Sequence, residues 1–162
     1  MMHNYYSNKD LEKGIQVLAR LMTIDDWRPD TVVGILRGGV IPAVYLSHWF
    51  DCPMMSIEWS SRDQHVGKDI DYRLVERLVS GQKVLLVDDI CDSGLTLDEV
   101  VFQMKLMAKE FKVAKKDKKP LDLKVACLHY NIGQDIFEPD YCHIEINKNE
   151  DPRWVVYAWE DM

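Results

Sequence analysis

Three short apolar runs, Thr31–Leu36, Val84–Val87 and Leu123–Leu128, recur along the chain, each followed or preceded by a stretch with helical spacing. A run without polar alternation suits a strand covered on both faces, and strands that alternate with helices form a mostly parallel sheet. The helical stretches carry the matching pattern: Leu11, Ile15, Leu18 and Met22 in the first, Ile41, Val44, Tyr45 and Trp49 in the second, and Leu97, Val100, Val101, Met104 and Ala108 from about Thr96 to Phe111. Ser7 with Asp10 three residues on marks the start of the first helix. The expected architecture is α/β, with a central, mostly parallel sheet flanked by helices. Met54–Trp59 adds a strand, and Val75–Val79 a short helical piece before the turn at Gly81. The tail from Phe137 onward differs: β-prone segments Tyr141–Ile146 and Trp154–Trp159 read as a small appendage.

At 162 residues the chain fits one domain able to bury its own core. Asp and Glu number 27 against 20 Lys and Arg, a formal charge of -7, which argues against a nucleic-acid partner. The five lysines of Lys112–Pro120 read as a solvated turn. Cys52, Cys91, Cys127 and Cys142 show no C-x-x-C pair or metal spacing and suit reduced thiols in a cytoplasmic protein. No signal-peptide layout and no run long enough for a membrane span is present, so no membrane partner is expected.

Ligands of open α/β sheets bind beyond the carboxyl ends of the strands, so the residues after each apolar run carry the chemistry. After Val84–Val87 come Asp88, Asp89, Ile90, Cys91, Asp92, Ser93, Gly94, Leu95 and Thr96. Adjacent strand residues point to opposite faces, so Asp88 and Asp89 cannot duplicate one another. Gly94 permits a tight turn, Ser93 and Thr96 add hydroxyls, and the helix start offers N–H donors suited to a phosphate monoester. Ordinary capping by Asp92 or Ser93 accounts for the hydroxyls but not for three acids at one turn. A P-loop nucleotide site would need a second motif; Gly67-Lys68 lacks its partner glycine and is followed by Asp69.

Leu85–Thr96 resembles the phosphoribosyl pyrophosphate motif of type I phosphoribosyltransferases, whose fold is a parallel α/β sheet with a hood over the base. The resemblance implies that Asp88 and Asp89 contact the ribose hydroxyls and organise magnesium, that Asp92–Thr96 cradles the 5-phosphate, and that Asp92 lies near the base nitrogen that is glycosylated. Arg37-Gly38-Gly39, after the strand Thr31–Leu36, resembles the family's pyrophosphate loop, where similar loops carry a non-proline cis peptide, here Leu36–Arg37. Ser60 and Ser61, in the long polar segment Ser60–Asp71, match the hydroxyl pair of the loop that closes over the reacting centre. Asp151–Glu160 resembles the base-binding end of bacterial xanthine-guanine and hypoxanthine enzymes: Trp154 would stack on the purine, the backbone of Val155 would read its edge, and Glu160 would help hold the metal. One departure concerns the base. Purine members commonly place a Lys after the Leu123–Leu128 strand, where this chain has Asn131 at or near that position, an amide that can donate to a carbonyl without charge.

The resemblance thus implies a single phosphoribosyltransferase domain over 1–162, with a core at about 10–130 and a hood at about 131–162. It further implies a cytoplasmic purine-salvage transferase using Mg2+, phosphoribosyl pyrophosphate and a 6-oxopurine, with Asp92 catalytic, and a homo-oligomer, dimer or tetramer. The alternative is a non-catalytic sensor of the same fold that binds a nucleotide or phosphoribosyl pyrophosphate.

Overall fold

The computed structural model describes residues 2–63, 67–116 and 119–160. In chain order its elements are β1 (His3–Tyr6), α1 (Asn8–Ile24), β2 (Thr31–Leu36), α2 (Val40–Phe50), β3 (Met54–Glu58), α3 (Tyr72–Val79), β4 (Lys83–Cys91), α4 (Leu95–Lys115), β5 (Asp122–Asn131), β6 (Tyr141–Ile146) and β7 (Trp154–Tyr157). Five strands form the central sheet in the order β3-β2-β4-β5-β6, and each neighbouring pair is parallel. At the start of α1 the Ser7 Oγ accepts from the Asp10 N–H at 3.2 Å, and the Asp10 carboxylate accepts from the Ser7 N–H at 2.9 Å, a reciprocal cap that satisfies two helix-end donors.

Strand pleating divides the apolar runs between two cores. Val32, Leu85, Val87, Ala126 and Leu128 pack with α1 and α2, while Val33, Ile35, Val84, Leu86, Val125 and Cys127 pack with α3 and α4. Both faces of the sheet are therefore closed, which is why these strands read as continuous hydrophobic runs. Of the segments expected from the sequence, Ser60–Asp71 and Lys112–Pro120 lie partly outside the described residues, at 64–66 and 117–118. Among the described residues no helix is long and apolar enough to cross a membrane.

The hood is assembled from both ends of the chain. β7 pairs in parallel with β1, His3 opposite Trp154 through Tyr6 opposite Tyr157, as a separate two-stranded sheet. β6, expected beside β7 in the appendage, instead pairs with β5 at the edge of the central sheet, Ala126 opposite Tyr141. Tyr6, Val155 and Tyr157 turn inward onto the α1–α2 core, so the hood is packed on the domain rather than tethered to it. The strand order places β2 and β4 side by side while their crossovers, α2 to β3 and α4 to β5, leave in opposite directions. Their carboxyl ends thus diverge at a topological switch point, where an open α/β sheet presents its ligand crevice.

Candidate active site

A cleft of about 270 Å³ opens at that point, walled by the ends of β2 and β4, the start of α4 and the inner edge of the hood. Arg37 and Gly38 form one wall, Asp88 and Asp89 its floor, and Asp92, Ser93, Gly94 and Thr96 the opposite wall. Trp154, Val155 and Glu160 close the far end, and Ser60 stands at the rim. Of the residues expected at the site, Gly39, Ser61, Leu95 and Asn131 are not among those that line the cleft. The Leu36–Arg37 peptide is cis.

β4 is longer than its apolar run, reaching Cys91, so both acids lie within the strand. Asp88 has the pleat parity of Val84 and Leu86, and Asp89 that of Leu85 and Val87. The Asp89 carboxylate packs on Gly38, and the Val87 carbonyl packs on Gly39 so closely that a Cβ on either glycine would overlap β4. These two glycines therefore allow the loop after β2 to seat directly on the acid-bearing strand. Burial, and then the neighbouring Asp89 charge, pushes the Asp88 carboxyl well above its usual range. Asp89 is also raised, by burial first, with the charge of Glu160 adding to it. Two adjacent anions held this way suit a cation that removes the repulsion.

Gly94 turns the chain at φ +83, a left-handed conformation that a side chain resists, and is itself the residue before α4. The Ser93 Oγ accepts from the Leu95 N–H at 3.3 Å. The Thr96 hydroxyl lies 3.0 Å from the Ser61 hydroxyl, so Ser61 reaches the turn from β3's side. The Ser60 Oγ accepts instead from the Arg62 and Asp63 N–H groups at 3.2 and 3.1 Å, a local turn. Asp92 is not a helix cap. Its Oδ2 lies 2.8 Å from the Lys148 ammonium and 3.5 Å from the Arg62 guanidinium, and its Oδ1 accepts from the Asn131 amide at 3.4 Å.

Asn131, expected to face the base, is engaged at both ends of its amide by the protein itself. Its Nδ2 donates to the Asp92 carbonyl at 3.1 Å, and its Oδ1 accepts from the Gly133 and Lys148 N–H groups at 3.0 and 3.1 Å. Among the described residues, no three His, Cys, Asp or Glu side chains gather closely enough to hold a metal ion alone. Glu160 shares the cleft with Asp88 and Asp89, but its Oε2 accepts from the Tyr157 N–H at 3.1 Å.

Sequence reasoning passed over Lys148, Arg62 and Tyr157, all of which line the cleft. Tyr157 is buried; its hydroxyl donates to the Asp89 carbonyl at 3.0 Å and lies 2.9 Å from the His129 Nδ1. A tyrosine has one hydrogen to give, so His129 donates through Nδ1. Its imidazole is pushed down to about 4 by burial and stays neutral at pH 7. Lys148 is the second residue after β6, and the rule that matters at β2 and β4, that strand ends carry the chemistry, points to it when applied to β6.

The model of a family described as "Phosphoribosyl transferase domain" matches residues 1–160. The xanthine-guanine phosphoribosyltransferase of Cereibacter sphaeroides is 36% identical over 80 residues, 46% of this chain and 46% of that protein. The chain thus matches about half the length of that curated relative. Among solved structures, a purine phosphoribosyltransferase from Pyrococcus horikoshii aligns with TM-score 0.72 and 26% identity, covering 100% of this chain and 96% of that one. The Helicobacter pylori xanthine-guanine-hypoxanthine phosphoribosyltransferase aligns with TM-score 0.66 and 22% identity, covering 98% and 92%, a likeness of fold.

Proposed function

Since the chain belongs to the phosphoribosyl transferase family, we propose that it is a purine-salvage enzyme that joins the ribose of phosphoribosyl pyrophosphate to a 6-oxopurine, releasing pyrophosphate. The observation that carries this reading is the convergence on one cleft of three ligand-sized surfaces. These are the Arg37–Gly39 loop seated on Asp89, the Asp92–Thr96 turn at the start of α4, and the exposed ring of Trp154 at the hood.

The turn and the first N–H groups of α4 receive the 5-phosphate, with the Thr96 hydroxyl beside them. Asp88 and Asp89 lie under the ribose, where a negative field favours positive charge building on the sugar as its bond to the diphosphate breaks. Arg37 offers a permanently charged fork to the departing diphosphate. Asp92 accepts the proton that the imidazole ring of the purine releases as it is glycosylated. Asp88 and Asp89, hard oxygen donors raised by burial, fit Mg2+, an ion that takes one or two carboxylates and completes its shell with water and substrate oxygens. When bound, magnesium would supply charge neutralisation of the diphosphate. The engagement of Glu160 with the Tyr157 backbone makes it a secondary partner for that ion.

Four free cysteines suit a reducing, cytoplasmic setting. A homo-oligomer is favoured by α2, which leaves Val44, Tyr45 and Trp49 exposed on an otherwise apolar helix. The test is a panel of hypoxanthine, guanine, xanthine and adenine with phosphoribosyl pyrophosphate and magnesium. Nucleoside monophosphate and pyrophosphate are expected in equal amounts from the oxopurines. Binding of phosphoribosyl pyrophosphate without turnover of any base would make the protein a sensor instead.

A further inference from the structure

We infer that Tyr157, supported by His129, is a positioning residue for the reaction: its hydroxyl fixes the main chain of β4 at Asp89 and so sets the place of the ribose acids. The inference rests on the transferase reading above for the reaction, and on this chain's own geometry for the assignment.

β2 and β4 pair only as far as Gly34 opposite Val87, whereas β4 and β5 run on together to Cys91 opposite Tyr130. Asp88 and Asp89 therefore lie where β4 has lost its neighbour on the cleft side. The Asp89 N–H donates to the Asp88 carboxylate at 2.9 Å, and the Asp89 carboxylate accepts from the Ile90 N–H at 2.8 Å. The Asp89 carbonyl accepts from the Tyr157 hydroxyl at 3.0 Å, a donor supplied by the hood.

Tyr157 is itself held on several sides and is only 2% exposed. Its ring stacks on Trp159 with centroids 4.6 Å apart, and meets the Tyr6 and His129 rings edge-on at 5.5 Å. Its N–H donates to the Glu160 Oε2 at 3.1 Å, so one residue holds both Asp89 and Glu160. The hydroxyl has a single hydrogen, which goes to the Asp89 carbonyl. His129 fills the acceptor side through its Nδ1–H at 2.9 Å, which fixes the direction of that hydrogen. Tyr6 cannot stand in: its hydroxyl donates to the Asp10 carbonyl at 2.9 Å and lies 3.0 Å from the His143 Nδ1.

The carbonyl and the carboxylate of Asp89 share one Cα, so a donor that anchors the first restrains the second. Preset charges stabilise a developing charge only where they were set, and a displacement near 1 Å can lower a rate by about 100-fold. Tyr157 acts through Asp89 rather than on the ribose. Its loss should therefore weaken the transition state while the phosphate turn and the Trp154 ring stay in place.

The experiment combines steady-state kinetics and crystallography of wild type, Tyr157→Phe, His129→Leu, His129→Asn and the Tyr157→Phe/His129→Leu double variant. Phenylalanine keeps the ring stack and removes the hydroxyl alone. Tyr157→Phe should lower kcat by roughly 10–100-fold while both KM values stay within about threefold. His129→Leu should also lower kcat, and the double variant should be no slower than Tyr157→Phe, because His129 acts only through the tyrosine. His129→Asn, whose amide can donate from the place of Nδ1, should recover most of the loss seen with leucine. Should Tyr157→Phe not fold, the leucine and asparagine variants carry the test. In the crystal, Asp89 should move by more than about 0.5 Å from its seat on Gly38 in Tyr157→Phe or His129→Leu. Near-normal kcat, losses that add in the double variant, or an unmoved Asp89 would overturn the inference. A wild type that forms no nucleotide, with Asp89 displaced in the variant, would refute the transferase reading and leave the anchoring of Asp89 standing.

Discussion

Asp88 and Asp92 sit four residues apart and are held by opposite means. Asp88 is raised by burial and by its neighbour's charge, so carrying a charge there costs the folded state stability at neutral pH. Asp88→Asn should accordingly raise the melting temperature of the unliganded protein at pH 7. A folded carboxyl with a raised pKa regains its proton on acidification, so this advantage should hold above that pKa and shrink as pH falls through it toward the ordinary carboxylate range. The same variant should lose the stabilisation that phosphoribosyl pyrophosphate and magnesium give, and thermal melts with and without ligand across pH read both effects. Asp92 is instead fully partnered, by Lys148, Arg62 and Asn131. Asp92→Asn keeps its size and should lower turnover by roughly 10²–10⁴-fold, the worth of a positioned general base, with little change in phosphoribosyl pyrophosphate affinity. Near-normal turnover would reduce Asp92 to an anchor for Lys148. Asn131 reads from the sequence as an amide able to donate to a purine oxygen; its hydrogen bonds to the Asp92 carbonyl and the Gly133 and Lys148 N–H groups hold both ends of that amide within the protein.

Among the elements, β2 with its loop and β4 with its turn carry most of the site, and both were legible in the sequence. Their strands are unbroken apolar runs covered on both faces, and the glycines and acids after them have few other uses. The reason for Gly39 was not legible: it accommodates the Val87 carbonyl and the Asp88 backbone rather than a ligand. Backbone cannot yield as a side chain can, so Gly39→Ala should destabilise the protein by about 1–3 kcal/mol, measurable by denaturant unfolding. Gly38→Ala meets the Asp89 carboxylate instead and should act more through loss of ligand binding than through stability. β1 escaped sequence reading because four residues, of which only Tyr6 is buried, leave no periodicity to detect. The place of β6 in the central sheet rather than the hood depends on pairing across the chain, which local pattern does not encode.

For the whole molecule, the hood and the core act on one ligand only because they are joined: β7 is anchored by β1, and Tyr157 bridges to the Asp89 carbonyl. A ligand spanning both should stabilise the entire fold. At a hundred times its dissociation constant, phosphoribosyl pyrophosphate with magnesium should add about 2.7 kcal/mol and raise the melting temperature by roughly 5–10 °C. The arrangement of phosphate turn, ribose acids and stacking ring along one cleft is tested most directly by a crystal structure with inosine monophosphate and magnesium. The account predicts the phosphate in the Asp92–Thr96 turn, the ribose over Asp88 and Asp89, and the purine on Trp154. A nucleotide seated with its base in that turn, or bound away from the ends of β2 and β4, would contradict it.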